Sequence, residues 1–123
     1  MSRPQHIVTI MPDYGFGPYA WQKPATDEST LVGQCIGTAV DGFETEDGTK
    51  ITAALEAAFA AWTEHFERFA EKEEFDWPGF HSQGIELGRR LKRELGSNYR
   101  VSYHKPFEDP AHEVNECTEI NDA

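Results

Sequence analysis

The stretch that most restricts the fold runs from Thr49 to about Lys72, TKITAALEAAFAAWTEHFERFAEK. Wound at 100° per residue, its large apolar side chains Ile51, Leu55, Phe59, Trp62, Phe66 and Phe69 all fall inside an arc of about 80°. Glu56, Glu64, Glu67, Arg68 and Glu71 occupy the far side, and alanines fill the flanks. Pattern and intrinsic propensity therefore agree on one amphipathic helix, with Thr49 as its expected N-cap. Each large side chain removed from water contributes about 1.5 to 3 kcal/mol, so the stripe demands a facing layer. Beyond Lys72 the same winding would turn Glu73 into the middle of the stripe, so the helix is expected to end there.

A second helix restarts at once. In Phe75-Asp76-Trp77-Pro78 the Asp can cap, Pro78 supplies the dihedral of a first turn, and Phe75 can staple back. Phe80, Leu87, Leu91 and Leu95 then share one side, and Gly96 is the C-terminal stop. Gly84 and Gly88 lie on that apolar side, where each costs about 1 kcal/mol relative to Ala unless a bulky neighbour needs the room. The expected neighbour for both is the aromatic stripe of the first helix. Arg89, Arg90, Lys92 and Arg93 crowd the last turns, where cations suit the helix dipole and Glu86 is placed to pair with Arg90. A solvated face is the simpler reading of this cluster; an anion site or a contact with an acidic face of another copy is the alternative.

The remaining chain reads as strands and turns. HIVTIM, from His6 to Met11, is apolar on both faces, as a central strand would be. Leu31 to Val40 reads as a strand weakened by Gly33 and Gly37, and the acidic turn Asp41 to Gly48 can bracket a short edge strand over Phe43 to Glu46. Tyr99 to Lys105 alternates cleanly, with Tyr99, Val101 and Tyr103 on one side. His112 to Ile120 fits no clean period, and a further strand there is left open. The resulting expectation is one α+β domain over residues 1–123, a small and mostly antiparallel sheet of three to five strands with two helices packed on one face. An acidic tail is expected from about residue 106.

Charge bounds the function. Asp plus Glu outnumber Lys plus Arg by 22 to 11, a net charge of −11, while 38% hydrophobic and 12% aromatic content is too much for a disordered acidic chain. Such a surface repels nucleic-acid and anionic-lipid phosphates and speeds encounter with a basic partner. The N-terminus carries no secretory pattern, and no run approaches the ~18 apolar residues that span a bilayer, so a cytoplasmic protein is expected. Cys35 and Cys117 match no metal spacing and are read as reduced, packed residues.

No catalytic, nucleotide or metal signature is present: there is no GxGxxG, GxSxG or HExxH, and the five histidines are scattered. No cofactor is implied, and an enzyme is the less favoured class. Candidate binding residues come from elsewhere. Pro12 to Pro24, PDYGFGPYAWQKP, reads as a stiff loop in which Tyr14, Phe16, Tyr19 and Trp21, with Asp13 beside them, either lid the core or form a recognition surface. His104, near the end of the last clear strand, and Glu108 and Asp109, just after it, lie where sites tend to gather, and they join Asp13 as the candidate cluster.

The segments FDWPGFHSQGIELGRRLKREL and YHKPFEDP, together with size, acidity and mixed layout, resemble the small acidic immunity proteins encoded in bacterial polymorphic-toxin loci. The resemblance implies a cytoplasmic inhibitor that binds a toxin domain, often a basic nuclease, by charge complementarity around aromatic anchors. It assigns no individual residue. The leading expectation is a protein-binding module for a basic partner. A small-ligand protein or enzyme with a pocket under the 12–24 loop, using His104, is one alternative, and a homo-oligomeric structural protein is another.

Overall fold

The structure, a computed structural model, describes residues 6–13, 17–27, 33–69, 75–96, 98–104 and 117–120. Along the chain these form β1 (His6–Ile10), β2 (Pro18–Pro24), β3 (Gln34–Thr38), β4 (Gly42–Phe43), α1 (Ala53–Phe69), α2 (Trp77–Leu95), β5 (Tyr99–His104) and β6 (Cys117–Ile120). The strands make one mixed sheet in the order β4-β3-β2-β1-β5-β6. The class is α+β with two helices, as expected, but the six strands exceed the three to five anticipated. One pairing departs from the antiparallel rule: β1 and β5 run parallel, His6 opposite Tyr99 and Ile10 opposite Tyr103.

The extra strands come from two places. Pro18–Pro24 is a strand and not the irregular loop that its prolines suggested, because both prolines fall at its ends. There a missing N–H breaks no interior rung of the ladder. Beside β5, at an edge of the sheet, Cys117–Ile120 pairs antiparallel, a four-residue strand too short to show a period of its own.

Register explains the core. The pairs Val8–Val101, Ile10–Tyr103 and Val101–Ile120 put these residues and Tyr99 on one face of the sheet, and all are buried. Both helices cover that face. α1 contributes Leu55, Phe59, Trp62 and Phe66, and α2 contributes Phe80, Leu91 and Leu95. The two ends of the predicted stripe differ: Ile51 precedes the helix and packs half-buried against the core, whereas Phe69 is 38% exposed. The register of β2 against β3 slips on either side of Ala20, and this irregularity lets Tyr19 as well as Ala20 enter the core. Gly37 lies against them; a Cβ there would sit 3.0 Å from Tyr19 and 3.1 Å from Ala20.

Several local expectations are corrected. The N-cap of α1 is Thr52, whose hydroxyl accepts from the Leu55 N–H at 3.3 Å. Thr49 is unavailable, because its N–H donates to the Thr45 hydroxyl at 2.9 Å and its carbonyl accepts from the Thr45 N–H at 2.9 Å. The start and stop of α2 stand as read: Asp76 accepts from the Gly79 N–H at 3.0 Å, and Gly96 follows Leu95 with φ of 84°. The expected end of α1 near Lys72 lies outside the described residues. Of the two helix glycines, Gly84 does face the aromatic stripe, a Cβ there lying 2.7 Å from Trp62 and 2.6 Å from Tyr103. Gly88 instead faces the sheet, against Ile120 and Ile10. Gly88 lies four residues, about 6 Å, further along the helix at 1.5 Å per residue, past the reach of the Trp62 ring.

Candidate functional site

The parallel β1/β5 pair brings two of the predicted residues to one end of the molecule. Asp13 follows β1 and His104 ends β5, both just beyond the Ile10–Tyr103 rung. They differ in access, since Asp13 is half-buried and His104 is 5% exposed. Tyr14, Phe16, Glu108 and Asp109 lie outside the described residues.

The described aromatics of the 12–24 stretch serve the fold. Tyr19 is fully buried and stacks on Phe59 with ring centroids 4.6 Å apart, so it presents no surface to a partner. Its hydroxyl has no hydrogen-bond partner among the described residues, and burial, followed by the negative charge of Glu56 and the nearby Cys35, pushes the phenol up. Trp21 is half-buried on the other side of the strand, and its indole N–H donates to the Met11 carbonyl at 3.0 Å. Gly17, immediately before β2, donates its N–H to Glu67 of α1 at 3.1 Å.

Exposed charge gathers instead at the β3–β4 edge. β4 is only two residues long and pairs with Gly37 and Thr38. One further bond, from the Glu44 N–H to the Ile36 carbonyl at 3.1 Å, extends the ladder. Gln34 and Cys35 lie beyond that cover. Around them opens a concavity of about 340 Å³ lined by Gln34, Cys35, Ile36, Asp41, Glu44 and Glu46. The three acids are exposed, and Lys50 reaches Glu44 at 3.5 Å across the surface.

The acid-bearing segment is held from beneath by side chains of other elements. Asp41 donates its N–H to the Thr38 hydroxyl at 2.8 Å. Glu56, from the polar side of α1, accepts from the Phe43 N–H at 2.7 Å and closes against Gly42, where φ is 79° and a Cβ would collide with the carboxylate. Gln22 of β2 accepts from the Glu46 N–H at 2.9 Å. One step on, the Asp47 carboxyl accepts from the hydroxyls of Thr45 and Tyr99 and is held down to about 2 by them. The chain thus presents Asp41, Glu44 and Glu46 on a fixed scaffold.

Chemically this edge can attract and hold cations. The nearby Cys35 is free and exposed, contrary to the packed residue expected. Its thiol donates to the Gly37 carbonyl at 3.6 Å, and partial burial pushes its pKa up, which keeps it a protonated and weak nucleophile. The side chain of Cys117 lies outside the described residues. Among the described residues no group of three or more His, Cys, Asp or Glu side chains is arranged to hold a metal.

At the basic end of α2 the expected Glu86–Arg90 pair is not formed. Glu86 meets Arg89 at 3.2 Å and Arg93 at 3.9 Å, and Lys92 donates to the carbonyls of Gly96 and Tyr99 as a helix-end cap. Sequence reading saw the acidic turn and this cationic cluster but not their partners. Glu56 and Gln22 carry no local signal at all, since their roles depend on a segment reached only in the folded chain. Among the described residues no helix is long and apolar enough to cross a membrane. Comparison of the chain with protein-family models, with curated proteins and with solved structures finds no match in any of the three.

Proposed function

We propose that this chain is a binding module for a basic protein partner and that the partner docks at the acidic β3–β4 edge. The observation that carries the reading is the coincidence of exposed Asp41, Glu44 and Glu46 with a strand edge that β4 covers only in part. An extended basic segment laid along Gln34 and Cys35 would add backbone hydrogen bonds, and its Lys or Arg side chains would meet the carboxylates. The net charge of −11 would steer such a partner from a distance. The resemblance to immunity proteins fits this reading and extends it: the partner would be a basic toxin domain neutralised in the cytoplasm.

The test is an association-rate measurement on the partner recovered by pull-down from the native host. Replacing Asp41, Glu44 and Glu46 by their amides should slow association roughly tenfold or more at low salt, with the wild-type rate falling steeply as salt is added. A partner that binds the triple variant as fast as wild type, or whose association ignores salt, would overturn the reading.

A further inference from the structure

A groove of about 490 Å³ runs between the outer sides of α1 and α2, away from the acidic edge. Such a volume suits a small molecule. It exists because Ala58 and Ala61 are small and because the close approach of the helices occurs beneath, where Gly84 admits Trp62. Trp62 forms part of the floor, and its indole N–H already donates to the Phe80 carbonyl at 3.0 Å. Together with Leu87 this makes the middle of the groove apolar.

The ends differ. Arg90 lines one end, half-buried and without an ion-pair partner among the described residues. Glu86, which also lines the groove, leaves it alone because Arg89 and Arg93 occupy both its oxygens. At the other end are Gln83 and His65, the latter ringed by Phe69 and Phe75 at centroid distances of 5.0 and 5.4 Å. Gln83 and Arg90 are two turns apart on α2, about 10 Å along its axis at 1.5 Å per residue.

An unpaired, half-buried guanidinium on a chain of net charge −11 calls for an anion, and its planar fork suits a carboxylate. We infer that the α1–α2 groove binds a small monocarboxylic acid with an apolar body about 10 Å long, its carboxylate on Arg90 and its body over Trp62 and Leu87. This site is separate from the proposed partner edge and stands or falls without it.

Octanoate is the probe, titrated calorimetrically and followed by amide spectra of the full chain, with octanol and octylamine as comparisons. Saturable octanoate binding is expected, with shifts at Ala58, Ala61 and Leu87 and with both comparison molecules roughly tenfold weaker or worse. Arg90→Gln should weaken octanoate roughly tenfold or more, whereas Arg89→Gln, an equal change in net charge, should leave it nearly unchanged. Because Ala61 is exposed, Ala61→Trp fills the groove without entering the core, and it should abolish binding while melting normally. Absence of saturable binding, octylamine binding as well as octanoate, or equal losses in the two arginine variants would overturn the inference.

Discussion

The two ends of α1 are secured by different physics. At its start the contacts are directional and polar. Glu94 takes the Thr52 N–H at 2.7 Å and its hydroxyl at 2.9 Å, Glu56 takes the Phe43 N–H, and Asp47 takes the Tyr99 hydroxyl. Toward its end the contacts are rings. Trp62 stacks on Phe80 at 4.4 Å, Phe66 lies 5.8 Å from Phe80, and Trp77 meets Phe66 edge-on at 6.4 Å. Hydrogen bonds exchanged with water are worth little net, while buried rings contribute area and dispersion with no competing solvent partner. The ring end should therefore carry most of the stability, and the polar end should carry its sensitivity to conditions.

Truncation of the ring end tests this most severely. Phe80→Ala is expected to lower the unfolding free energy by about 3 to 5 kcal/mol, read from urea midpoints. A loss below about 1 kcal/mol would mean that the rings are looser than their spacing implies. The helix glycines sharpen the same point. Gly84→Ala pushes a methyl into the rings of Trp62 and Tyr103, which cannot swing aside, and it should cost about 1 to 3 kcal/mol. Gly88→Ala meets chiefly the terminal methyl of Ile120, which can rotate away, so the helix-propensity gain of about 1 kcal/mol should leave it near neutral. Equal costs at the two positions would erase the distinction.

At the polar end the effects are smaller. Tyr99→Phe removes a hydroxyl bonded to Asp47 and should cost about 1 kcal/mol in the same unfolding assay. Asp47→Asn should show its effect through pH. The native carboxyl is held at about 2, below its ordinary 3.8, so the charged form is favoured by folding. That stabilisation is present above pH ~4 and is lost as pH falls toward 2. The melting temperature of wild type should exceed that of the variant at neutral pH, and the gap should close on acidification through this window. A gap constant from pH 6 to pH 2 would mean that the hydrogen bonds to the Asp47 carboxylate contribute nothing to stability.

The same contrast explains what the sequence made legible. The stripe of α1, the Asp76 and Gly96 boundaries of α2 and the alternation of β5 are local patterns, fixed by winding geometry and by backbone groups a few residues away. Thr49 looked like the cap because it stood before the stripe. Its backbone was already committed to Thr45, which no local rule reports. The burial of Tyr19 follows from an irregular register with β3, the orientation of Gly88 from Ile120 across the sheet, and the Glu86 pairs from rotamer choice among three neighbouring arginines. For the candidate sites, the acids of the 41–48 turn were visible as composition. Their display beside an uncovered strand, and the groove at Arg90, required the tertiary arrangement.

The parallel pairing of β1 with β5 bears on how the protein is made. His6 meets Tyr99, so the first described strand cannot find its second neighbour until synthesis has passed Tyr99 and β5. Until then β1 has only the local hairpin with β2, a marginal structure on its own, and the apolar edge of HIVTI stays open. Closing so long a loop is slow compared with forming the helices. The completed sheet should accordingly appear in one late, cooperative step, and a nascent chain stalled before Tyr99 should be sensitive to protease and to aggregation in a way the finished chain is not.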